Sequence, residues 1–95
     1  MNDNPLEKTI EQKVCDYAKS KGYLTPKFTS PARRSVPDRL MIPPVSEMYF
    51  IEFKRLGAKA TDAQLREHER LRKNNKKVFV VDTVEMGKFL VDLIC

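Results

Sequence analysis

Leu6, Ile10, Val14 and Tyr17 recur at intervals of three and four, the spacing of one face of a helix. Asn4-Pro5-Leu6-Glu7 supplies its start, with Asn as N-cap, Pro at the first helical position and Glu at the third. Gly22 marks its C-terminal cap. The periodicity then changes. Residues 23–28 are β-formers interrupted by Pro26, which suits an edge position. A loop over 29–35 carries Pro31, Arg33 and Arg34. Residues 36–42 and 48–55 read as two strands, and the turn Pro43-Pro44-Val45-Ser46-Glu47 between them makes the pair antiparallel. Gly57 opens the next connection, and Thr61-Asp62-Ala63-Gln64 fits a capping box for a helix ending near residue 74. Val78-Phe79-Val80-Val81 is the short apolar run of a buried strand. Asp82 or Thr83 caps a last helix, with Met86, Phe89, Leu90, Leu93 and Ile94 on its apolar face. The predicted order is αβββαβα, an α/β chain with helices packed on a sheet.

A chain of 95 residues suffices for one domain, 1–95, and buries a modest share of its surface. Burying an apolar face in a dimer would add to that. The composition, 41% hydrophobic and 33% charged, is that of an ordinary globular protein. Lys plus Arg number 18 against 13 Asp plus Glu, a net charge of +5. Such a surface attracts polyanions, nucleic acid first among them, although a solubility charge has the same sign. Cys15 and Cys95 form no metal-binding spacing and read as reduced thiols of a cytoplasmic protein. The polar start lacks a signal core. No apolar run approaches the roughly 20 residues needed to cross a bilayer.

Candidate chemistry lies in Pro37-Asp38 and Glu52-Phe53-Lys54. Side chains alternate along a strand, so Glu52 and Lys54 share a face while Phe53 turns into the core with Tyr49 and Ile51. Asp38, on the preceding strand, can face Glu52 across the pair with Cβ atoms about 5 Å apart. One divalent cation bridges such a gap, and the Phe53 backbone carbonyl offers a further oxygen. Cation and Lys54 together would stabilise charge at a phosphodiester under attack. Acids on paired strands also commonly just pair with Lys or Arg on a solvated face. Here both acids fall within apolar strands, where a charge is costly unless matched.

Ser35-Val36-Pro37-Asp38-Arg39, then Phe50-Ile51-Glu52-Phe53-Lys54-Arg55, then Gln64 resemble the VRR-NUC family, the virus-type replication-repair nucleases of the PD-(D/E)xK superfamily. The resemblance extends from Ile10-Glu11-Gln12 through Lys21-Gly22 and Lys27-Phe28-Thr29-Ser30-Pro31 to Lys77-Val78-Phe79-Val80-Val81. It implies a restriction-endonuclease-like core and a DNA endonuclease dependent on Mg2+ or Mn2+. Small stand-alone members resemble Holliday junction resolvases of phages and bacteria, acting as homodimers on branched or four-way DNA. It also implies that Asp38 and Glu52 are metal ligands, Lys54 the catalytic lysine, Glu11 the acid of the first helix and Gln64 the glutamine of the following one. The family usually carries Gly where this chain has Ser35, and Ser reaches positive φ less cheaply. The loop entering the site is therefore expected to differ.

Glu11 could reach the cation through water, or be a solvated charge beside a lysine. Gln64 either bonds back to Thr61 in the capping box or orients groups at the site. His68, one turn further on, reads as a packing or surface residue outside the site. Arg33, Arg34, Arg39, Arg55, Lys27 and Lys59 are candidates for phosphate-backbone contact. No recognition helix or stacking platform stands out, so binding by DNA shape is expected. Flaps, single-strand branches and duplex are alternative targets of the same chemistry. A basic DNA-binding module without catalysis is the alternative of another class.

Overall fold

The structure, a computed structural model, describes residues 6–95. The expected N-cap Asn4 and helical Pro5 lie outside the described residues. The elements follow in the order α1 (Glu7–Ser20), β1 (Arg39–Met41), β2 (Tyr49–Phe53), α2 (Asp62–Lys73), β3 (Val78–Val81) and α3 (Val84–Ile94). This is the expected mixed α/β arrangement with one element reduced. Residues 23–28 make no continuous strand. They pair with the outer side of β1 through isolated antiparallel bridges, Leu24 with Ile42 and Lys27 with Arg39. Pro26 has no N–H to donate, and its carbonyl still accepts from Leu40 N–H at 3.0 Å.

The sheet order is β1-β2-β3. β1 and β2 are antiparallel, with Arg39 opposite Ile51 and Met41 opposite Tyr49. β2 and β3 are parallel, with Glu52 opposite Val80. Parallel neighbours need a long crossover, and α2 provides it. β2 is therefore the central strand and is buried at all five positions. Tyr49, Ile51 and Phe53 enter the main core with Ile10, Val14, Met41, Val81 and Val91, while Glu52 turns to the other face. Met41 is fully buried.

α1 buries Ile10, Val14, Cys15 and Ala18. Its expected stripe is rotated: Leu6 is exposed, and Tyr17 lies at the margin, where its hydroxyl donates to Asp92 at 2.8 Å. The rotation follows from α3, which packs directly on α1. At their crossing, a Cβ on Gly87 would overlap Val14 Cγ2 and lie 2.8 Å from Val14 Cγ1. α3 begins at Thr83, whose Oγ1 accepts from Met86 N–H at 3.0 Å. Its buried face is Gly87, Leu90 and Val91. Met86, Phe89 and Leu93, expected on one apolar face with Leu90 and Ile94, form an outward apolar strip. Both sides of this helix are apolar in sequence, and contact with α1 selects the side bearing the glycine.

α2 is unusual in what it buries. Its buried residues are Glu67 and His68. The capping box is complete: Thr61 Oγ1 accepts from Gln64 N–H at 3.2 Å, and Gln64 Oε1 accepts from Thr61 N–H at 2.9 Å. A helix that docks through polar groups must have partners for them: Glu67 pairs with Arg33 and Arg70, and His68 meets Glu52 on β2.

Candidate active site

Glu52 is 2% exposed at the centre of the sheet, where an unmatched carboxylate is costly. Its Oε2 lies 3.2 Å from Gln64 Nε2, and its Oε1 lies 3.3 Å from His68 Nε2. Asp38 precedes β1 and is clasped to the β2 backbone on both sides of Glu52. Its N–H donates to Ile51 O at 3.0 Å, and its Oδ2 accepts from Phe53 N–H at 2.7 Å. The buried Pro37 holds the approach to that position. The Asp38 carboxyl lies near enough for its charge to act on Glu52.

Burial, and then the charge and hydrogen bond of Asp38, push the Glu52 carboxyl up to about 8, with Lys54 acting in the opposite direction. Two acids forced together favour a shared proton or a cation. Burial, and then the charges of Arg72 and Lys54, lower His68 from its ordinary value, which keeps the ring neutral near pH 7. The half-buried Lys54 thus acts on both groups.

The two acids of the first helix stand in different surroundings. Glu11 Oε2 is held by Arg39 Nε at 2.6 Å, while Arg39 Nη1 donates to Thr25 O at 2.6 Å. Glu7, one turn earlier, is exposed and feels the charges of Asp38 and Lys54. Its carboxyl is raised by burial first and by Asp38 second, and is lowered by Lys54. In turn, Glu7 raises Glu52.

One end of the Gln64 amide closes the cap expected from sequence, and the other bonds Glu52, a partner the sequence did not suggest. His68 belongs to the cluster despite being placed outside it from sequence. The available signal was its spacing of four from Gln64, which puts both on one helix face. Arg33 is engaged by Glu67 Oε1, at 2.8 Å from both Nε and Nη2, so the loop before Pro37 is tied to α2. Arg34, Arg55, Lys27 and Lys59 are exposed and form no ion pair among the described residues. Ser35 adopts φ of 66°, the left-handed region expected to be unfavourable there. The loop thus retains the conformation that glycine would favour, at the cost of strain.

Among the described residues no group of three or more His, Cys, Asp or Glu forms a ready-made cage for a metal. The donors that are present do suit a hard cation. Mg2+ keeps several waters and commonly takes only one or two carboxylates from the protein. The Glu52 carboxyl stays raised beside Asp38 despite Lys54, so the pair has room for further positive charge.

A scan against protein-family models finds no match. The chain is 39% identical over 84 residues to the protein named "Putative nuclease p44" of Acyrthosiphon pisum secondary endosymbiont phage 1, covering 88% of this chain and 90% of that protein. Among solved structures it superposes on a VRR_NUC domain with a TM-score of 0.82 and 32% identity, over 90% of this chain and 94% of that one. No helix among the described residues is long and apolar enough to cross a membrane. Sequence identity and fold agree over nearly the same span: the chain belongs to the VRR-NUC family of nucleases.

Proposed function

We propose that this nuclease is a divalent-cation-dependent, structure-selective DNA endonuclease that cuts four-way junctions as a homodimer. The observation that supports this most is the pairing of Asp38 with the buried Glu52, next to Lys54. In this reading Asp38, Glu52 and the Phe53 carbonyl hold Mg2+ or Mn2+, and Glu7 takes the place expected for Glu11. Bound there, the cation would lower the pKa of a water and offset charge on the phosphate. Lys54 offers its ammonium to the phosphate oxygens as negative charge builds up during attack. Gln64 keeps Glu52 aimed, and the Asp38 contact to Phe53 N–H holds the other acid in place.

Arg34, Arg55, Lys27 and Lys59 would follow the DNA backbone, because exposed cations are available to phosphates at little desolvation cost. A groove of about 420 Å3 is lined by Lys8, Lys19, Lys27 and Arg39 together with Glu11 and Asp16, and its lysines would extend that basic track. The outward strip Met86, Phe89 and Leu93 is the surface for a second copy, and a two-fold axis would place two sites for paired nicks. Residues 1–95 act as one nuclease domain in the cytoplasm of a bacterial or phage-infected cell.

The test incubates purified protein with a four-way junction, a flap and linear duplex, each with Mg2+, Mn2+ or chelator. Junction cleavage in paired positions, only with cation, is expected, with a dimer by light scattering. Equal cutting of all three substrates would refute junction selectivity. Undiminished cleavage in chelator would refute the cation.

A further inference from the structure

The buried residues of α2, Glu67 and His68, are both polar. Its most deeply buried side chain is His68, at 0% exposure. That position has an evident alternative: a leucine or methionine would fill the space and require no hydrogen bond. Instead the imidazole is buried with its Nδ1 unpartnered among the described residues. Leaving such an atom unpaired is costly. Its other nitrogen, Nε2, is directed at Glu52 Oε1 at 3.3 Å.

Gln64 occupies the same helix face one turn earlier and reaches the other oxygen, Glu52 Oε2. Two side chains spaced i, i+4 therefore grip both oxygens of one carboxylate. Gln64 is itself immobilised by the Thr61 cap, and His68 is immobilised by burial. An ionised carboxylate only accepts hydrogen bonds, so a neutral His68 serves it by carrying its proton on Nε2. Each carboxylate oxygen has a second lone pair, and these remain available for a cation.

We propose that His68 is a positioning residue which, together with Gln64, fixes the Glu52 carboxylate in the orientation needed to share a cation with Asp38. This rests on the cation-dependent reading above. His68 itself touches neither cation nor DNA. Groups that hydrogen-bond a metal ligand orient it, and their loss commonly lowers metal affinity about 10–100-fold.

The test measures Mn2+ affinity by calorimetry, without DNA, for the wild type, His68→Gln, His68→Asn and His68→Leu, alongside thermal unfolding in chelator. A Gln amide reaches the place of Nε2, whereas an Asn amide reaches only that of Nδ1. His68→Gln is expected to stay within about threefold of wild type, and His68→Asn and His68→Leu to lose about tenfold or more. If His68→Leu does not fold, the Gln and Asn pair decides. Wild-type affinity in all folded variants would overturn the proposal, as would equal losses in Gln and Asn that track only their unfolding. A wild type that takes no Mn2+ would overturn the cation reading itself, and the positioning role with it. The two failures are thus distinguishable.

Discussion

Replacing Glu52 by Gln removes one charge from the buried pair and keeps its shape. The exchange can be accommodated. The introduced amide oxygen would accept from Gln64 Nε2, and the introduced NH2 would donate to His68 Nε2 once the ring proton moves to Nδ1. In the wild type the folded-state carboxyl lies at about 8, above its ordinary 4.5. The protonated form is therefore favoured on folding. Its stability contribution is complete below pH 4.5 and is lost as pH rises through about 8. At about 1.4 kcal/mol per unit the full displacement is worth about 5 kcal/mol. Relaxation of the site and water entry absorb part of this, leaving about 2–3 kcal/mol. For a domain of this size each kcal/mol moves Tm by about 4–8 °C. Thermal unfolding in chelator from pH 5 to pH 9 should therefore show Glu52→Gln gaining on the wild type by about 10–20 °C across the range. Mn2+ at pH 9 should then restore the wild type and leave the variant unchanged. A difference between the two proteins that does not vary with pH would refute this account of the pair. So would a variant less stable than wild type at pH 9.

Two further substitutions test the scaffold. Gly87→Ala forces a methyl into Val14 where α1 and α3 cross, and should cost about 1–3 kcal/mol in denaturant unfolding; no loss would mean that the helices sit further apart. Ser35→Gly relieves a left-handed backbone worth about 1–2 kcal/mol, less the greater freedom of glycine in the unfolded chain. It should raise Tm by a few degrees without changing Mn2+ affinity, and a lowered Tm would contradict the strain.

Elements were legible where local chemistry has one solution. The Thr61 capping box, the β-run at 78–81, the glycine stop at Gly22 and the pairing of β1 with β2 all depend on neighbours in sequence. Alternation along β2 likewise separates Glu52 from Tyr49, Ile51 and Phe53. Less legible was any choice between equivalent faces. Glu7 and Glu11 are one helical turn apart and nearly interchangeable by pattern; Arg39, arriving from β1, captures Glu11 and leaves Glu7 to the acids. The same holds for α3, where contact with Val14 chose the glycine side.

His68 marks the boundary most clearly. Periodicity records how often a side chain meets the core, but not whether that core is apolar. The chain itself determined an α/β scaffold with two acids and a lysine on neighbouring segments, because strand alternation and helix caps are local rules. Only tertiary structure decided that a polar helix face would close over Glu52, that Arg33 and Arg39 would be paired with Glu67 and Glu11, and that Ser35 would bear a glycine's conformation. Those outcomes depend on groups far apart in sequence, whose desolvation must be matched at a single point in space.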